Sequence, residues 1–406
     1  MLWLGLAVRN VFANGRRSAF VAGTILVSVV ALLLFAGYMH ATRVGLEYST
    51  VRGGIGHLQM SGAGGFDRYS DEPLQFGLTP DARTSIEDAA DRLSQVSRTV
   101  PRLAFSGLLS NGPRTLSVSA TGIDPISENA AFGARRIVSS GQLLSGSTPE
   151  DGAVLGVELA KRLGVRPGDV VTLITTTVSG SLNAQDLTVL GTVGSGIPQT
   201  DLYLLQIMLP TAQRLLATDK LSAMAILLTE GGDLPEASEA LLRSHAGLEI
   251  RTWRQLSPAY DQVVGMYERL FAVFGAFLLC VTTFSIATLI LTSVLERTRE
   301  VGVMRSLGIR ANRVRLSFML EALTLGAIGL ACGTLFAFLA ASGLNALDLT
   351  APPPPGRNVG HPFRIIWDTT AMVGIWAAVL ILTALAAWAA SSRVAKLRVV
   401  TALGAI

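Results

Sequence analysis

Lysines are where nucleotide chemistry would show, because a phosphate-binding P-loop needs Gly-Lys-Ser/Thr after a strand, where backbone N–H groups and the lysine cradle the phosphates. Only Lys161, Lys220 and Lys396 are available, and they follow Ala160, Asp219 and Ala395. No P-loop can be built from them, so ATP hydrolysis is expected of a different chain. The four histidines, His40, His57, His245 and His361, are scattered, and no His-Glu-x-x-His, Gly-x-Ser-x-Gly or Gly-x-Gly-x-x-Gly occurs. Scattered histidines read as surface or capping residues, so neither a catalytic residue nor a metal site is expected. Gly62-Ala63-Gly64-Gly65 follows an apparent strand but leads into Phe66-Asp67-Arg68 with no helix signal, which makes it a turn.

What remains is recognition chemistry. In Glu296-Arg297-Thr298-Arg299-Glu300-Val301-Gly302-Val303-Met304-Arg305-Ser306-Leu307-Gly308-Ile309-Arg310, Val303, Met304 and Leu307 fall on one helical face with arginines elsewhere, and Gly308 can end the helix. A short amphipathic helix lying along a membrane surface fits this pattern. So does a loop whose arginines only set membrane orientation.

The elements that must hold this segment are apolar. The chain has 406 residues, is 50% hydrophobic and only 15% charged, and its mean hydropathy is +0.48; soluble domains carry about a quarter charged residues. Four stretches lack Asp, Glu, Lys, Arg and His: Ser18–Met39, Leu270–Leu295, Ala322–Leu347 and Thr369–Ser392. Each exceeds the ~20 helical residues that cross a hydrocarbon core. A signal peptide would have a shorter apolar core and a small-residue cleavage site, so the first stretch reads as an anchor. Cys280 and Cys332 both fall in spans, leaving no disulfide framework.

The net charge of +4 does not point to nucleic acid, because the basic excess sits at membrane edges. Arg9, Arg16 and Arg17 precede the first span, six arginines against three glutamates lie in 296–321, and Arg393, Lys396 and Arg398 follow the last. Segment 41–269 holds 24 acidic and 19 basic residues. Basic short segments stay cytoplasmic, so both termini and 296–321 are expected inside, and the large segment and the loop 348–368 outside. The resulting division is 1–17 juxtamembrane helix, 18–40 first span, 41–262 extracytoplasmic domain, 263–295 second span, 296–315 cytoplasmic helix, 316–347 third span, 348–368 outer loop, 369–392 fourth span and 393–406 tail.

The outer segment reads as α+β. Gly56–Met60 alternates like a strand; Thr79-Pro80 opens a helix; Arg102–Leu109 and Arg114–Gly122 flank Asn111-Gly112, a hairpin turn signal. Residues 153–193 read strand, short helix ended by Gly164, turn and two strands, followed by a helix near Thr211–Ala217, a strand at Ala223–Leu228, a helix from Asp233 to His245 and a strand at Leu248–Arg251. A strand-rich insert, about 145–205, is expected to stand apart from an α/β layer. From Ala259 to Leu295 nothing breaks a helix, and such a length spans ~55 Å; it could be a lever into the outer domain or an ordinary span with a frayed end.

The order Glu296-Arg297, Arg299-Glu300, Gly302, Met304-Arg305, Leu307-Gly308, then Glu321-Ala322, closely resembles the cytoplasmic signature of the FtsX-like permease family, which includes the macrolide-exporter and lipoprotein-releasing permeases of ABC transporters. The resemblance runs nearly end to end, taking in Leu6-Ala7-Val8-Arg9-Asn10, Gly56-His57-Leu58-Gln59, Ala153–Ala160 with Pro167-Gly168-Asp169, and Thr252-Trp253. Two departures stand out. Val399-Val400-Thr401-Ala402-Leu403 replaces the family's Pro-x-Glu-Ala-Leu-type ending, and no ATPase is fused, a layout closer to the lipoprotein-releasing branch.

The resemblance implies a bacterial inner-membrane permease, paired with a second copy or homologous permease and with two copies of an ABC ATPase that binds ATP and Mg. It implies an ATPase-coupling site at Glu296, Arg297, Glu300, Gly302, Val303, Met304, Arg305, Leu307 and Gly308, and release of lipoproteins as the function. Efflux of another hydrophobic compound, or a scaffold for a cell-wall hydrolase, remains open. A substrate cavity is placed at Phe35, Tyr38, Met39, Val263, Met266, Tyr267 and Phe271, near the outer leaflet, though Tyr is also enriched at any membrane interface. Ala322, Gly326, Gly329, Gly333 and Ala337 form small-xxx-small series, suited to a subunit contact or to packing within the chain.

Overall fold

A computed structural model describes residues 15–66, 76–133, 137–245, 247–296, 302–304, 306–351 and 360–394. The motif at Leu6–Asn10, the residues Arg297, Glu300 and Arg305, and the ending Val399–Leu403 lie outside the described residues. The elements run α1 (Gly15–Thr50), a π-helical turn (Val51–Ile55), β1 (Leu58–Gly62), α2 (Pro80–Asp91), β2 (Val96–Ser110), β3 (Thr115–Ile123), α3 (Pro125–Phe132), β4 (Ile137–Gly141), β5 (Gly152–Gly156) and α4 (Val157–Leu163). They continue with β6 (Val170–Thr176), β7 (Leu182–Gly194), α5 (Pro198–Asp201), β8 (Leu204–Met208), α6 (Leu209–Leu216), β9 (Ala223–Leu228), α7 (Leu234–Ser244), β10 (Leu248–Thr252), α8 (Trp253–Leu256), α9 (Pro258–Glu296), α10 (Ala311–Ala346) and α11 (Thr369–Val394). Among the described residues, four helices are long and apolar enough to cross a membrane, over Ser18–Ile55, Tyr260–Thr288, Asn312–Ala346 and Thr369–Ser392, and the large α+β domain lies between the first and second.

Two units divide the chain: Met1–Val44, Val263–Thr350 and Pro362–Ile406 form one, and Gly45–Gln262 with Ala351–His361 the other. The helical unit buries Ile25, Val29 and Leu33 of α1 with Ile286, Phe318, Ala337, Val379 and Ala387. In hydrocarbon polar groups must be satisfied internally, and several hydroxyls of the spans do so along their own helix. Thr24, Ser28, Thr282, Thr283, Thr334 and Thr383 each donate to the carbonyl four residues earlier. Gly329 and Gly333 let α10 close onto α1. A Cβ added at Gly329 would stand 2.8 Å from the Ile25 Cβ, and one at Gly333 2.8 Å from the Val29 Cβ. Gly326 faces Thr383 of α11 in the same way. The small-residue series is therefore occupied within the chain.

In the α+β unit the helices start where side chains satisfy their free N–H groups. Thr79 accepts from Ala82, Asp124 from Ser127 and Asp233 from Glu236, each followed by proline in the first turn. The β2–β3 hairpin closes over Asn111–Arg114, but only Gly112 takes a positive φ, of 90°. Asn111 works through its side chain, accepting from the Arg114 N–H and donating to the Leu163 carbonyl.

The strands join one sheet. β2 pairs with β3, β3 runs parallel to β8, β8 pairs with β5, β5 runs parallel to β7, β7 pairs with β6, and β6 returns to β2 through Leu108↔Ile174 to Ser110↔Thr172. Six strands thus close a ring of hydrogen bonds, which leaves them no free edge. Leu103, Phe105, Ala120, Val171, Leu187 and Leu205 fill the core. Because β2 and β3 complete this ring, the strands of 145–205 do not stand apart as a separate insert. The other end of β2 carries β9, then β1, then β10. β1, which follows α1, and β10, which precedes α9, are antiparallel neighbours with Leu58 opposite Thr252. The His57 carbonyl accepts from Trp253 N–H, and its Nδ1 from Leu228 N–H.

Candidate functional site

The segment 302–309 splits the residues that sequence periodicity put on one face. Met304 packs with Ile309 against the helical core, and Gly302 is buried. Val303 and Leu307, one helical turn apart, face outward with exposures of 45% and 76%. The turn ends as the sequence requires: Gly308 takes φ of 87°, Leu307 N–H donates to the Val303 carbonyl and Ile309 N–H to that of Met304. Glu296, at the end of α9, is exposed. Accordingly, the apolar surface on offer is Val303 and Leu307, and Met304 is an internal anchor.

The second feature is an apolar cavity of about 580 Å³ inside the helical unit, within the ~300–1,000 Å³ range of ligand sites. α1 contributes Ala31, Leu34, Phe35 and Tyr38; α9 contributes Tyr267, Leu270, Phe271 and Phe274; Leu344 closes one side and Phe363 and Ile365 another. Aromatic contacts shape it. The rings of Phe35 and Phe271 are 4.2 Å apart, Phe35 and Phe274 meet edge-on at 6.2 Å, and Tyr38 stacks on Phe363 at 4.8 Å.

Four residues placed here from sequence, Phe35, Tyr38, Tyr267 and Phe271, line this cavity together; Met39, Val263 and Met266 do not, and Met266 is exposed. Sequence reasoning missed Ala31, Leu34, Leu270, Phe274 and Leu344 on the long helices, and Phe363 and Ile365 beyond them. Phe363 and Ile365 come from the loop between α10 and α11, folded back so that Ile366 N–H donates to the Gly37 carbonyl and Ile365 packs on the bare Cα of Gly37. An aromatic beside a Pro-rich stretch was the only local signal.

The sequence model of the MacB-like periplasmic core domain matches residues 18–244, more than half of the chain, and that of the FtsX-like permease C-terminal matches 272–399. The chain belongs to the FtsX-like permease family with a MacB-like periplasmic core.

Curated relatives are distant. This permease is 24% identical over 247 residues to the lipoprotein-releasing system transmembrane protein LolC of Neisseria meningitidis serogroup B, covering 57% of this chain and 58% of that one. It is 28% identical over 154 residues to the macrolide export ATP-binding/permease protein MacB of Salmonella paratyphi A, covering 34% of this chain and 23% of that one. The matches thus span less than two thirds of those relatives. Among solved structures, the periplasmic region of MacB from Actinobacillus actinomycetemcomitans aligns with 52% of this permease and 95% of its own length, at 15% identity and a TM-score of 0.38. Within the matched 272–399 lie the segment 302–309 and most of α9; within 18–244 lie Phe35 and Tyr38.

Proposed function

We propose that the protein is the membrane-spanning permease subunit of an ABC transporter in a bacterial inner membrane, and that it releases lipoproteins by holding their acyl chains in the cavity between α1 and α9. The observation that carries this reading is the cavity itself, walled by Phe35, Phe271, Phe274 and the Tyr38–Phe363 stack and apolar almost throughout. Acyl chains drawn out of the bilayer need a dry apolar enclosure, because each CH₂ left in water costs ~0.8 kcal/mol. The similarity to LolC supports the same substrate class.

ATP and Mg belong to a separate ATPase, two copies of which work with two permease copies. Val303 and Leu307 supply the docking face, entering a cleft as a short helix does in helix-in-groove recognition. α1 and α9 then carry the motion, since they lead to and from the neighbouring strands β1 and β10. The cytoplasmic side is that of residue 306. Cysteine at Ser147 should react with an impermeant reagent from outside intact cells and cysteine at Ser306 should not, with Cys280 and Cys332 replaced; the opposite pattern reverses the orientation.

The deciding experiment places a photo-crosslinker at Tyr38 or Phe271 and, as a control, at exposed Val273. Lipoprotein release predicts capture of a lipid-anchored protein at the first two positions only, with ATP and the partner ATPase discharging it. Crosslinks to bulk phospholipid alone, unchanged by ATP, refute a substrate role for the cavity. Similarity to the macrolide export proteins favours a second reading, efflux of a hydrophobic compound, which predicts capture of a small molecule without any attached protein.

A further inference from the structure

The α+β unit contains a second cavity, of about 450 Å³, whose lining includes Arg52, Gly54, Phe66, Arg102, Thr121 and Gln206. Strand alternation explains its position. Leu103, Phe105, Ala120, Leu205 and Ile207 turn into the core, so Ala104, Thr121 and Gln206 turn to the opposite face. The register then sets them side by side, Ala104 opposite Thr121 and Thr121 opposite Gln206. Ala104, with Gly53, Gly54 and Gly194, leaves the floor open.

The charges in the lining do not cancel. Arg102 is already engaged: its Nε and Nη2 donate to the Glu128 carboxylate at 3.0 and 2.7 Å, its Nη1 donates to the Gly54 carbonyl, and its guanidinium lies over the Phe132 ring. Glu128 is fully buried, and this ion pair ties Arg102 to it. Arg52 has no hydrogen bond or ion pair among the described residues, and its positive charge, after the larger effect of burial, helps hold the His57 pKa below its ordinary value. The side chains of Thr121 and Gln206 likewise have no hydrogen-bond partner among the described residues. Three elements therefore bring one cation, one hydroxyl and one amide, none with a partner among the described residues, to one cavity with Phe66 on its rim.

We propose that this cavity binds a small monocarboxylic acid bearing an apolar group, with Arg52 taking the carboxylate, Thr121 and Gln206 hydrogen-bonding beside it and Phe66 covering the apolar part. One uncompensated positive charge matches one carboxylate. Binding here would load the Val51–Ile55 turn at the end of α1, because Arg52 belongs to it. The site is independent of what the helical unit carries.

The test uses the full chain in lipid nanodiscs with N-acetylphenylalanine, N-acetylphenylalaninamide and inorganic phosphate as probes, read by ligand-observed saturation-transfer NMR. The acid should bind saturably and the amide should not, and phosphate should compete poorly. Arg52→Gln should weaken the acid at least about tenfold, as loss of a charge-assisted hydrogen bond does. Gln206→Leu, remote from the π-helical turn, should weaken it several-fold and guards against a folding defect in the first variant. Equal binding of acid and amide, no saturable binding of the acid, stronger competition by phosphate, or full affinity in both variants would each overturn the assignment.

Discussion

Gly333 of α10 rests directly on Val29 of α1, with room for no side chain between them: a Cβ there would stand 2.8 Å from the Val29 Cβ and 3.0 Å from the Leu26 carbonyl oxygen. Membrane helices associate through such close backbone approach, because lipid supplies no hydrophobic drive between them. The small-residue series therefore binds α10 to its own α1, which leaves a subunit contact to be sought on another helix.

Gly333→Val should push these helices apart and lower stability by about 1–3 kcal/mol, the usual cost of overpacking. Gly343→Val, where nothing lies within 4 Å of the added Cβ, is the control. Thermal unfolding in detergent should show a clear fall in midpoint for the first variant and a much smaller change for the second.

The opposite orientations of Met304 and Leu307 separate two effects that would otherwise be confused. Leu307→Asp should leave insertion and thermal stability within ~0.5 kcal/mol, as for other exposed positions, while abolishing co-purification of the ATPase. Met304→Asp should reduce folded protein, since it places an unpaired charge against the core. Normal ATPase recovery with Leu307→Asp would remove this face from the coupling site.

α9 is the span least covered by its own chain. Leu270, Val273, Phe277, Cys280 and Phe284 are all exposed and follow one another at alternating steps of three and four, the 3.5-residue period of a helix–helix seam. With Cys332 replaced by serine, oxidation of the native Cys280 should trap a permease dimer in membranes. An uncross-linked chain under conditions that oxidise a surface cysteine would mean that this seam faces lipid.

His57 accepts a hydrogen bond from the Leu228 N–H at Nδ1, which requires the neutral ring. Burial first, then the Arg52 charge, lowers its pKa below 6.5. The unfolded chain therefore binds a proton that the folded one refuses, so stability is full above about 6.5 and declines as pH falls from there towards the folded pKa. His57→Gln should flatten this part of the stability–pH curve. An unchanged slope would show that other groups set it.

Local chemistry made much of this legible from sequence. The runs at Ser18–Met39 and Thr369–Ser392 exclude charge over more than the thickness of a bilayer's hydrocarbon core, a helix without breakers follows from Ala259 to Leu295, and Thr79-Pro80 and Asp233 satisfy the N–H groups of the helices that follow them. Each of these is decided by neighbours in the chain. Tyr38 meeting Phe363, Val29 filling the space beside Gly333, Met304 turning inward while Leu307 stays out, and Thr121 aligning with Gln206 are different. They depend on which distant surfaces come together, and identical local patterns suit several partners. Apolar periodicity says that a face will be covered; only the packed tertiary structure, where volumes and hydrogen bonds must close at once, selects what covers it.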